Sequence, residues 1–535
     1  MGMKSSSIHC HGVRAGVLRC AWLPRFCRPP ALAWDQDQIE DHDPVILPPG
    51  SRMNWQNMPS TARRQTGLTS ITRWSYFLFM LSRTLALLVT ATTLAHAAPA
   101  EHVILISIDG WAHQYFEDPK CHMPAVKALA AKGVRAKRME CSFPTVTWTN
   151  HTTLVTGVHP AKHGVLANEY FDRATRKKVP LIPDPLFNKE EIVKAPTIYD
   201  AAKAAGLTTA GVIWPASRGA KTLDWTVPDV FEQELFEKYG TPSLLEEARA
   251  AGIPIEKQNE WCKLGNPGKA QRDYMYMLLA THIIKKHQPN FLALHLVSLD
   301  SFEHSNGRQV PEAYWAANDS DNRVADIVRA TEEAGIRDKT TFIITTDHGF
   351  VTFTKSINAN AALRKDGFVK AVMGKSLAPD SQVFAMAEGG ACFVYVLDDA
   401  NRDNILKQIT PTLGKLEGVA GVVEAKDFDA KLHHVTAAKD GREPDLVLLA
   451  ADGYTFTDSL ADNDVIIPND PPKGAHGHLQ TDPNLYGGFV ISGAGVKQGV
   501  ELDEIKNIDV TPTMARLLGI PFPDADGRVL EEALK

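Results

Sequence analysis

Continuous apolar runs alternate with helically spaced segments along most of the chain after residue 102. The run VILISID (103–109) ends in Asp-Gly, which is typical of a buried parallel strand whose carboxyl end reaches a ligand site. Similar runs predict further strands over 208–214, 291–299, 340–346 and 487–492, and a strand is also expected over 134–140. Helical spacing predicts helices over 123–132, 197–205, 271–286 and 311–334, with a last helix that opens at 507–513 and runs to Leu518. This alternation predicts an α/β fold in which a mostly parallel sheet lies between helical layers.

Two segments interrupt the alternation. Residues 215–270 are rich in Trp, Pro and Gly and show no regular pattern, so we expect an irregular cap or insertion there. Residues 355–475 are also less regular, with short strands predicted at 392–397 and 445–449. We interpret this second segment as an insertion that lies partly over the site. The catalytic domain is therefore predicted to span 98–535, with insertions near 215–270 and 355–475.

The start of the chain differs from the rest in its pattern of apolar and polar residues. Residues 1–79 show no useful periodicity, and we interpret them as a non-native or disordered extension, with translation beginning near Met80. Residues 80–97 combine Arg83, the apolar run LALLVTATTL and a final Ala-His-Ala, which indicates a secretory signal peptide. A periplasmic or secreted protein without a stable membrane span after cleavage is the expectation. A retained, uncleaved anchor is the alternative.

Composition narrows the class of partner. The 535 residues carry a formal charge of -6, so they lack the basic footprint of a protein that binds nucleic acid as a structural partner. None of the seven cysteines forms a C-x-x-C pair, which argues against zinc ribbons and thioredoxin-type motifs. The last four cysteines, at 121, 141, 262 and 392, could form two disulfides or remain buried thiols, and their spacing leaves both open.

The stretch SFPTVTWTNHTTLVTG (142–157) combines a proline turn, several hydroxyl residues and an Asn-His pair before an apolar segment that ends at glycine. This order predicts a loop that opens a helix, with Thr147 near the first turn. Helix amino termini bind phosphate well, because their N–H groups are unpaired and their dipole end is positive. The Thr147 hydroxyl is either a nucleophile or a helix cap.

Aspartates and histidines follow several of the predicted strands. Asp109 and Asp300 are each predicted to end a strand, as is the pair Asp347-His348, and His304 shares a helical face with Asp300 if the chain turns helically there. The loop KGAHGHLQ adds two candidates, of which motif position favours His476 over His478. Mixed imidazole and carboxylate ligands suit Zn²⁺, with Mn²⁺ or Fe as alternatives. Six ligands are enough for two ions, and a two-metal site of this kind clamps the oxygens of an in-line displacement and makes Thr147 reactive.

These motifs, in this order, resemble the nucleotide pyrophosphatase/phosphodiesterase family of the alkaline phosphatase superfamily, over most of the chain from His102 to Leu518. The resemblance implies an alkaline-phosphatase-like sheet between helical layers and hydrolysis of small-molecule phosphate diesters or pyrophosphate bonds through a threonyl-phosphate. It also implies one zinc ion on Asp300, His304 and His476, and a second on Asp109, Thr147, Asp347 and His348. Asn168 would donate a hydrogen bond to a non-bridging phosphoryl oxygen.

The chain departs from the family pattern in places. Trp148-Thr149 stand where Phe-Pro is common, so Trp148 packs either on substrate or in the core, and Ala167 replaces an acid before Asn168. A phosphomonoesterase or phosphonate hydrolase on the same scaffold remains an alternative, as does a non-catalytic binding protein of the same fold. A sulfatase is disfavoured, because Cys141-Ser-Phe-Pro lacks the C-x-P-x-R pattern that such enzymes require.

Overall fold

A computed structural model describes residues 99–182 and 186–535. The predictions for residues 1–79 and 80–97 lie outside the described residues. Strands within the described ranges are β1 (His102–Ile108), β2 (Val134–Glu140), β3 (Glu169–Asp172), β4 (Lys177–Pro180), β5 (Thr209–Trp214), β6 (Trp225–Pro228), β7 (Phe291–Leu296), β8 (Thr340–Thr345), β9 (Val351–Asn358), β10 (Ala371–Val372), β11 (Ser376–Leu377), β12 (Val383–Glu388), β13 (Ala391–Val396), β14 (Val419–Glu424), β15 (Leu446–Ala450), β16 (Tyr454–Thr457), β17 (Ile466–Ala475), β18 (Gly487–Gly493) and β19 (Val500–Lys506).

Helices connect most of the strands and cover the sheets. In the same ranges they are α1 (Gln114–Glu117), α2 (Pro124–Ala131), α3 (Thr147–Thr156), α4 (Pro160–His163), α5 (Lys189–Ile192), α6 (Ile198–Ala204), α7 (Gln233–Tyr239), α8 (Pro242–Ala250), α9 (Gln258–Cys262), α10 (Asn266–His287), α11 (Ser298–Asn306), α12 (Pro311–Glu333), α13 (Ala359–Lys365), α14 (Arg402–Leu413), α15 (Phe428–Leu432) and α16 (Val510–Leu518). No described helix is both long and apolar enough to cross a membrane.

The main sheet has eight strands in the order β19-β2-β18-β8-β1-β7-β5-β6, and all of them run in one direction except β18. Residues of β1 alternate between its two faces. Ile104 and Ile106 pack in one core with α2, α10 and α12, while Val103 and Leu105 pack in another with α3, α6 and α16. Because both faces are covered, the central strands are apolar without interruption. The predicted mostly parallel sheet between helical layers is confirmed.

The register of the three central strands sets the position of the site. Ile108 of β1 is paired with Leu296 of β7, and Ser107 is paired with Thr345 of β8. The carboxyl ends of these strands therefore lie side by side, and the segments that follow them emerge at one edge of the sheet.

The expectation that residues 215–270 are irregular is wrong. This segment contains the edge strand β6 and the short helices α7, α8 and α9. Buried side chains of the segment, which include Phe236, Leu244 and Ile255, join the core beside α10. Helices of five to nine residues are shorter than the window over which helical periodicity can be recognised, so tertiary burial decides them.

Residues 355–475 are also more regular than expected. The two predicted strands correspond to β13 and β15, and with β12 and β14 they form a four-stranded antiparallel sheet. Helices α13 and α14 pack on it and complete a second core, which includes Leu363, Val394 and Ile409. A hydrophobic core of its own is what a folded insertion requires, and the assignment of this segment as an insertion stays a prediction.

No disulfide joins the four cysteines of the described chain, Cys121, Cys141, Cys262 and Cys392. Three of them, Cys121, Cys141 and Cys392, are buried, and burial raises the pKa of each of these three thiols. Of the two alternatives left open by spacing, the structure has thiols rather than disulfides at these positions.

Candidate active site

The stretch around Thr147 folds as a loop that leads into helix α3. The Asn150 side chain holds the loop: its Oδ1 accepts from Ser142 N–H at 2.7 Å, and its Nδ2 donates to the Pro144 and Val146 carbonyls at 3.1 and 3.0 Å. Helix α3 begins at Thr147 and ends at Gly157, whose φ of 64° is left-handed. The predicted loop-to-helix element is confirmed.

Thr147 is not a helix cap. The residue that precedes the helix is Val146, and no side chain caps this end. Between Cys141 and Val158, Thr147 is the one residue that is partly exposed, whereas its neighbours are buried. The fold therefore leaves Thr147 partly accessible to solvent in a stretch whose other residues are buried.

Asp300 is placed differently from its prediction. Strand β7 ends at Leu296, and Asp300 lies in the first turn of α11. The apolar residues 297–299 continue the strand-like run into the helix, so the sequence pattern misses the boundary. The helical turn does bring Asp300 and His304 onto one face, with 3.2 Å between Asp300 Oδ1 and His304 Nε2.

A first cluster joins α11 to the end of β17. His304 Nε2 lies 3.2 Å from His476 Nε2, and His476 Nε2 lies 3.7 Å from Asp300 Oδ1. One donor atom from each of these three residues falls within 4.8 Å of the others. His478 points elsewhere, since its Nε2 contacts the Tyr454 carbonyl at 3.1 Å. The geometry therefore agrees with the choice of His476 over His478.

A second cluster lies at the ends of β1 and β8. His348 Nε2 lies 3.4 Å from Asp109 Oδ1 and 3.1 Å from Asp347 Oδ2. The two clusters are adjacent, because Asp109, Asp300 and His348 also form a group within 4.8 Å. Thr147 is linked to this cluster through His151, whose Nδ1 donates to the Thr147 carbonyl at 2.8 Å and lies 3.5 Å from Asp347 Oδ2.

The residues of the second cluster fit a cation. Asp109 Oδ1, Asp347 Oδ2 and His348 Nε2 converge, are buried, and make no hydrogen bond with any described residue. Buried polar atoms without partners are costly, so three that face each other indicate a missing ligand. Carboxylate oxygens and imidazole nitrogens are the donors that Zn²⁺ accepts in proteins.

The protonation states favour the same interpretation. Burial, with the neighbouring charges of Asp347 and Asp300, raises the pKa of Asp109 well above its usual value. Burial lowers the pKa of His348 to about 3, and burial with His348 and His304 holds the pKa of His476 well below its usual value. His348 and His476 are therefore neutral near pH 7, which is the form that binds metal. A cation between the carboxylates would offset their repulsion.

Asn168 lies beside the nucleophile candidate. Its Oδ1 accepts the backbone N–H of Trp148 at 2.9 Å, which leaves the Nδ2 amide as the free donor. Trp148 itself is 1% exposed and packs with Val165, Leu181 and Ile192. Of the two roles considered for Trp148, core packing is the one observed.

Two further histidines support the clusters, and the sequence analysis did not assign them. His295 Nε2 lies 2.9 Å from Asp109 Oδ2, and His151 holds the Thr147 carbonyl as described. Their rings are 4.2 Å apart. The signal for His295 was a single polar ring inside the apolar strand FLALHL, and the Asn-His pair marked His151. Both histidines hold cluster residues in orientation, because His295 contacts Asp109 and His151 contacts the Thr147 carbonyl.

One cleft, of about 630 Å³, lies away from the site on α2 and α12. A second cleft, of about 510 Å³, opens directly at the site. The latter is lined by Val146, Asn168, His304 and His476. Residues between 353 and 457 also line it, and they include Phe353, Ser356, Glu388, Thr455 and Phe456. Residues from the segment predicted to lie over the site therefore form part of the lining of this cleft.

Gly349, the last residue of the Asp-His-Gly motif, has no space for a side chain. A Cβ atom on Gly349 would lie 2.2 Å from the Asn484 carbonyl oxygen. We expect Gly349→Ala to lower the free energy of unfolding by about 2–3 kcal/mol, because the backbone of one segment must shift. Urea unfolding measures this. Gly441→Ala is the matched control, since its Cβ would meet nothing within 4 Å. An equal effect of the two substitutions would contradict the steric role.

The sheet, its helical layers and the residue clusters at its carboxyl edge define an alkaline-phosphatase-like fold. The sequence model of the type I phosphodiesterase/nucleotide pyrophosphatase family matches residues 103–479, and the chain belongs to this family.

Named relatives agree with this membership. The chain is 24% identical to human ectonucleotide pyrophosphatase/phosphodiesterase family member 1 over 79% of its length, which spans 40% of that protein. It is 21% identical to human family member 5 over 82% of its length, which spans 79% of that protein. A venom phosphodiesterase from Macrovipera lebetinus is 24% identical over 79% of the chain and 44% of the relative.

Solved structures show the same fold. Murine ectonucleotide pyrophosphatase/phosphodiesterase 5 aligns with a TM-score of 0.61 at 16% identity, covering 81% of this chain and 100% of that one. An inactive variant of the murine protein in complex with AMP aligns equally well.

Proposed function

We propose that this protein is a di-zinc hydrolase of small-molecule phosphate diesters or pyrophosphate bonds, with substrates of the nucleotide type. The observation that carries the proposal is that the two clusters of carboxylate and imidazole groups are adjacent, and that the partly exposed Thr147 is linked to one of them through His151. The family membership supports hydrolysis of phosphodiester or pyrophosphate bonds. The complex of the murine relative with AMP supports a nucleotide-type substrate.

Eight residues carry the proposed chemistry. One zinc ion would be held by Asp300, His304 and His476, and the other by Asp109, Thr147, Asp347 and His348. Bound there, the two ions would supply Lewis-acid charge next to the reacting oxygens. Mn²⁺ or another divalent ion could replace zinc in the same donor sets.

In the proposed reaction, Thr147 Oγ1 attacks phosphorus after its proton has passed to water in the cleft. The bond from phosphorus to the leaving alcohol breaks in line, and a threonyl-phosphate ester forms. Asn168 Nδ2 donates to a non-bridging oxygen, where negative charge is concentrated. Because Asn168 Oδ1 is already held by the Trp148 N–H, this donor is oriented before substrate binds. Water then attacks the ester and releases Thr147.

The cleft favours diesters over monoesters. Among the described residues that line it, there is no Lys or Arg to neutralise the second charge of a monoester. Its volume of about 510 Å³ leaves room for the second organic group of a diester. A phosphomonoesterase or phosphonate hydrolase on the same scaffold is the alternative, and a non-catalytic binding protein is a further one.

Rates on matched nitrophenyl esters test the proposal. We expect kcat/KM for bis(4-nitrophenyl) phosphate and for the 4-nitrophenyl ester of thymidine 5'-monophosphate to exceed that for 4-nitrophenyl phosphate by about 100-fold or more, which corresponds to about 2.7 kcal/mol. A preference for the monoester would establish the phosphomonoesterase, and a preference for a phosphonate ester would establish the phosphonate hydrolase. Absence of turnover on all of these esters by metal-loaded protein would leave the binding protein.

We also propose that the mature protein acts in the periplasm or is secreted. The support is the signal-like segment at residues 80–97. The small-molecule substrate would then be an extracytoplasmic phosphate ester.

A further inference from the structure

A third group of metal-ligating side chains lies at the opposite end of α10 from the catalytic clusters. Glu247 on α8 faces His282 and His287 on α10. His287 Nε2 lies 2.8 Å and His282 Nε2 lies 3.1 Å from the same oxygen, Glu247 Oε2. One donor atom of each residue falls within 4.8 Å of the others. Two imidazole nitrogens and one carboxylate oxygen thus converge on a single point.

This group is separate from the proposed catalytic site. The amino end of α10 is tied to the first cluster, because Asn266 Oδ1 accepts from Ser301 Oγ at 2.8 Å, next to Asp300. His287 is the last of the 22 residues of this helix. At 1.5 Å per residue the two ends are about 30 Å apart. None of the eight residues of the proposed mechanism belongs to the group.

Neighbouring side chains hold the three ligands in place. The His287 ring is stacked on Trp225 with 4.3 Å between centroids and 19° between planes, which fixes its orientation. Lys286 Nζ binds the other carboxylate oxygen, Glu247 Oε1, at 3.0 Å and leaves Oε2 to the histidines. Metal-ligating carboxylates commonly have such a partner on their second oxygen.

The group is open to solvent and its donor atoms suit zinc. The side chains are 15–19% exposed, so an ion can enter from solvent. Two imidazoles and one carboxylate are a common ligand set for Zn²⁺, with water in the fourth position, whereas Mg²⁺ and Ca²⁺ prefer oxygen donors alone.

We propose that Glu247, His282 and His287 form a third zinc site, which joins α8 to α10 and takes no part in the reaction. The ion would replace two hydrogen bonds on one carboxylate oxygen by three ligand bonds. It would thereby link a segment that the sequence pattern marks as irregular to α10, a helix of 22 residues in the same core.

Zinc content tests the site on the purified full chain. After loading with Zn²⁺ and dialysis against metal-free buffer, Glu247→Gln should contain one zinc ion fewer per chain than the unsubstituted protein. Its turnover of bis(4-nitrophenyl) phosphate should be unchanged. Lys286→Gln is the matched control, since it removes the neighbouring charge and leaves all three ligands, and it should keep the ion. Equal zinc in Glu247→Gln and unsubstituted protein would overturn the proposal.

A measurement on the unsubstituted chain covers the case in which the variant does not fold. Diethyl pyrocarbonate modifies neutral imidazole, and peptide mass spectrometry reports His282 and His287 individually. Stoichiometric Zn²⁺ should slow modification of both by about tenfold or more relative to chelator-treated protein. His122, which is exposed and outside the group, serves as the internal control. Equal rates with and without zinc would show that the three residues form only an ion-pair network. Neither the zinc content of the variants nor the rates of histidine modification depend on the proposed catalytic activity.

Discussion

Thr147→Ala should lower kcat on bis(4-nitrophenyl) phosphate by about 10⁴-fold or more and leave the metal content unchanged. Removal of a nucleophile from a covalent mechanism has effects of this size. The fold should tolerate the change, because Thr147 lies in the first turn of α3, its side chain caps nothing, and alanine is the best helix former. Steady-state kinetics and elemental analysis of the same preparation measure the two quantities.

Thr147→Ser is the matched control for this experiment. It keeps the attacking hydroxyl and removes one methyl group, so we expect kcat to stay within about tenfold of the unsubstituted protein. Acid quenching during turnover should trap a phosphorylated peptide that contains residue 147 in the unsubstituted protein and not in Thr147→Ala. Full activity of Thr147→Ala would remove this residue from the role of nucleophile and redirect attention to water as the attacking group.

Removal of metal by a chelator should inactivate the enzyme. Asp300→Ala should also inactivate it, because the variant should lose one zinc ion. Without cations, the buried carboxylates Asp109 and Asp347 face each other uncompensated, and nothing next to Thr147 offsets the charge of the phosphoryl group. We expect activity to fall by about 10³-fold after chelation and to return on addition of Zn²⁺. Asp300→Ala should lose one zinc ion per chain and about 10³ in kcat.

Asp319→Asn is the control for the aspartate substitution. Asp319 lies on α12, where it binds Arg323 at 3.0 Å, and it belongs to neither cluster. Its replacement should leave metal content and kcat unchanged, because a single ion pair of this kind contributes about 0.3–0.5 kcal/mol. Chelated protein that retains full turnover would refute metal-assisted hydrolysis for this chain.

The elements that the apolar pattern predicted best are those buried on both faces. The predicted strands at 208–214 and 340–346 each differ by one residue from β5 and β8, in which every residue is buried. In these strands the local pattern and tertiary burial agree. Residues 215–270 differ because their helices are short and acquire their stability only against α10.

In the candidate site, too, some residues could be predicted from local sequence, whereas others depended on tertiary contacts. Turn residues after apolar strands were enough to nominate Asp109, Asp347 and His348, since parallel strands bring their carboxyl ends to one edge. Motif position favoured His476 over His478, but no local physical property distinguishes them, and the path of β17 is what brings His476 to within 3.2 Å of His304. His295 lies inside an apolar strand, so its contact with Asp109 depends on the pairing of β1 with β7.

By itself, then, the sequence determined the α/β alternation, the helix that begins at Thr147, and the residue types from which the proposed two-metal site is built. Those features depend on periodicity and on chemistry within a few neighbouring residues. The tertiary structure alone decided that Trp148 belongs to the core, that Asp300 lies on a helix, and that Glu247 meets His282 and His287. These outcomes depend on contacts between residues far apart in the chain, which no local pattern encodes.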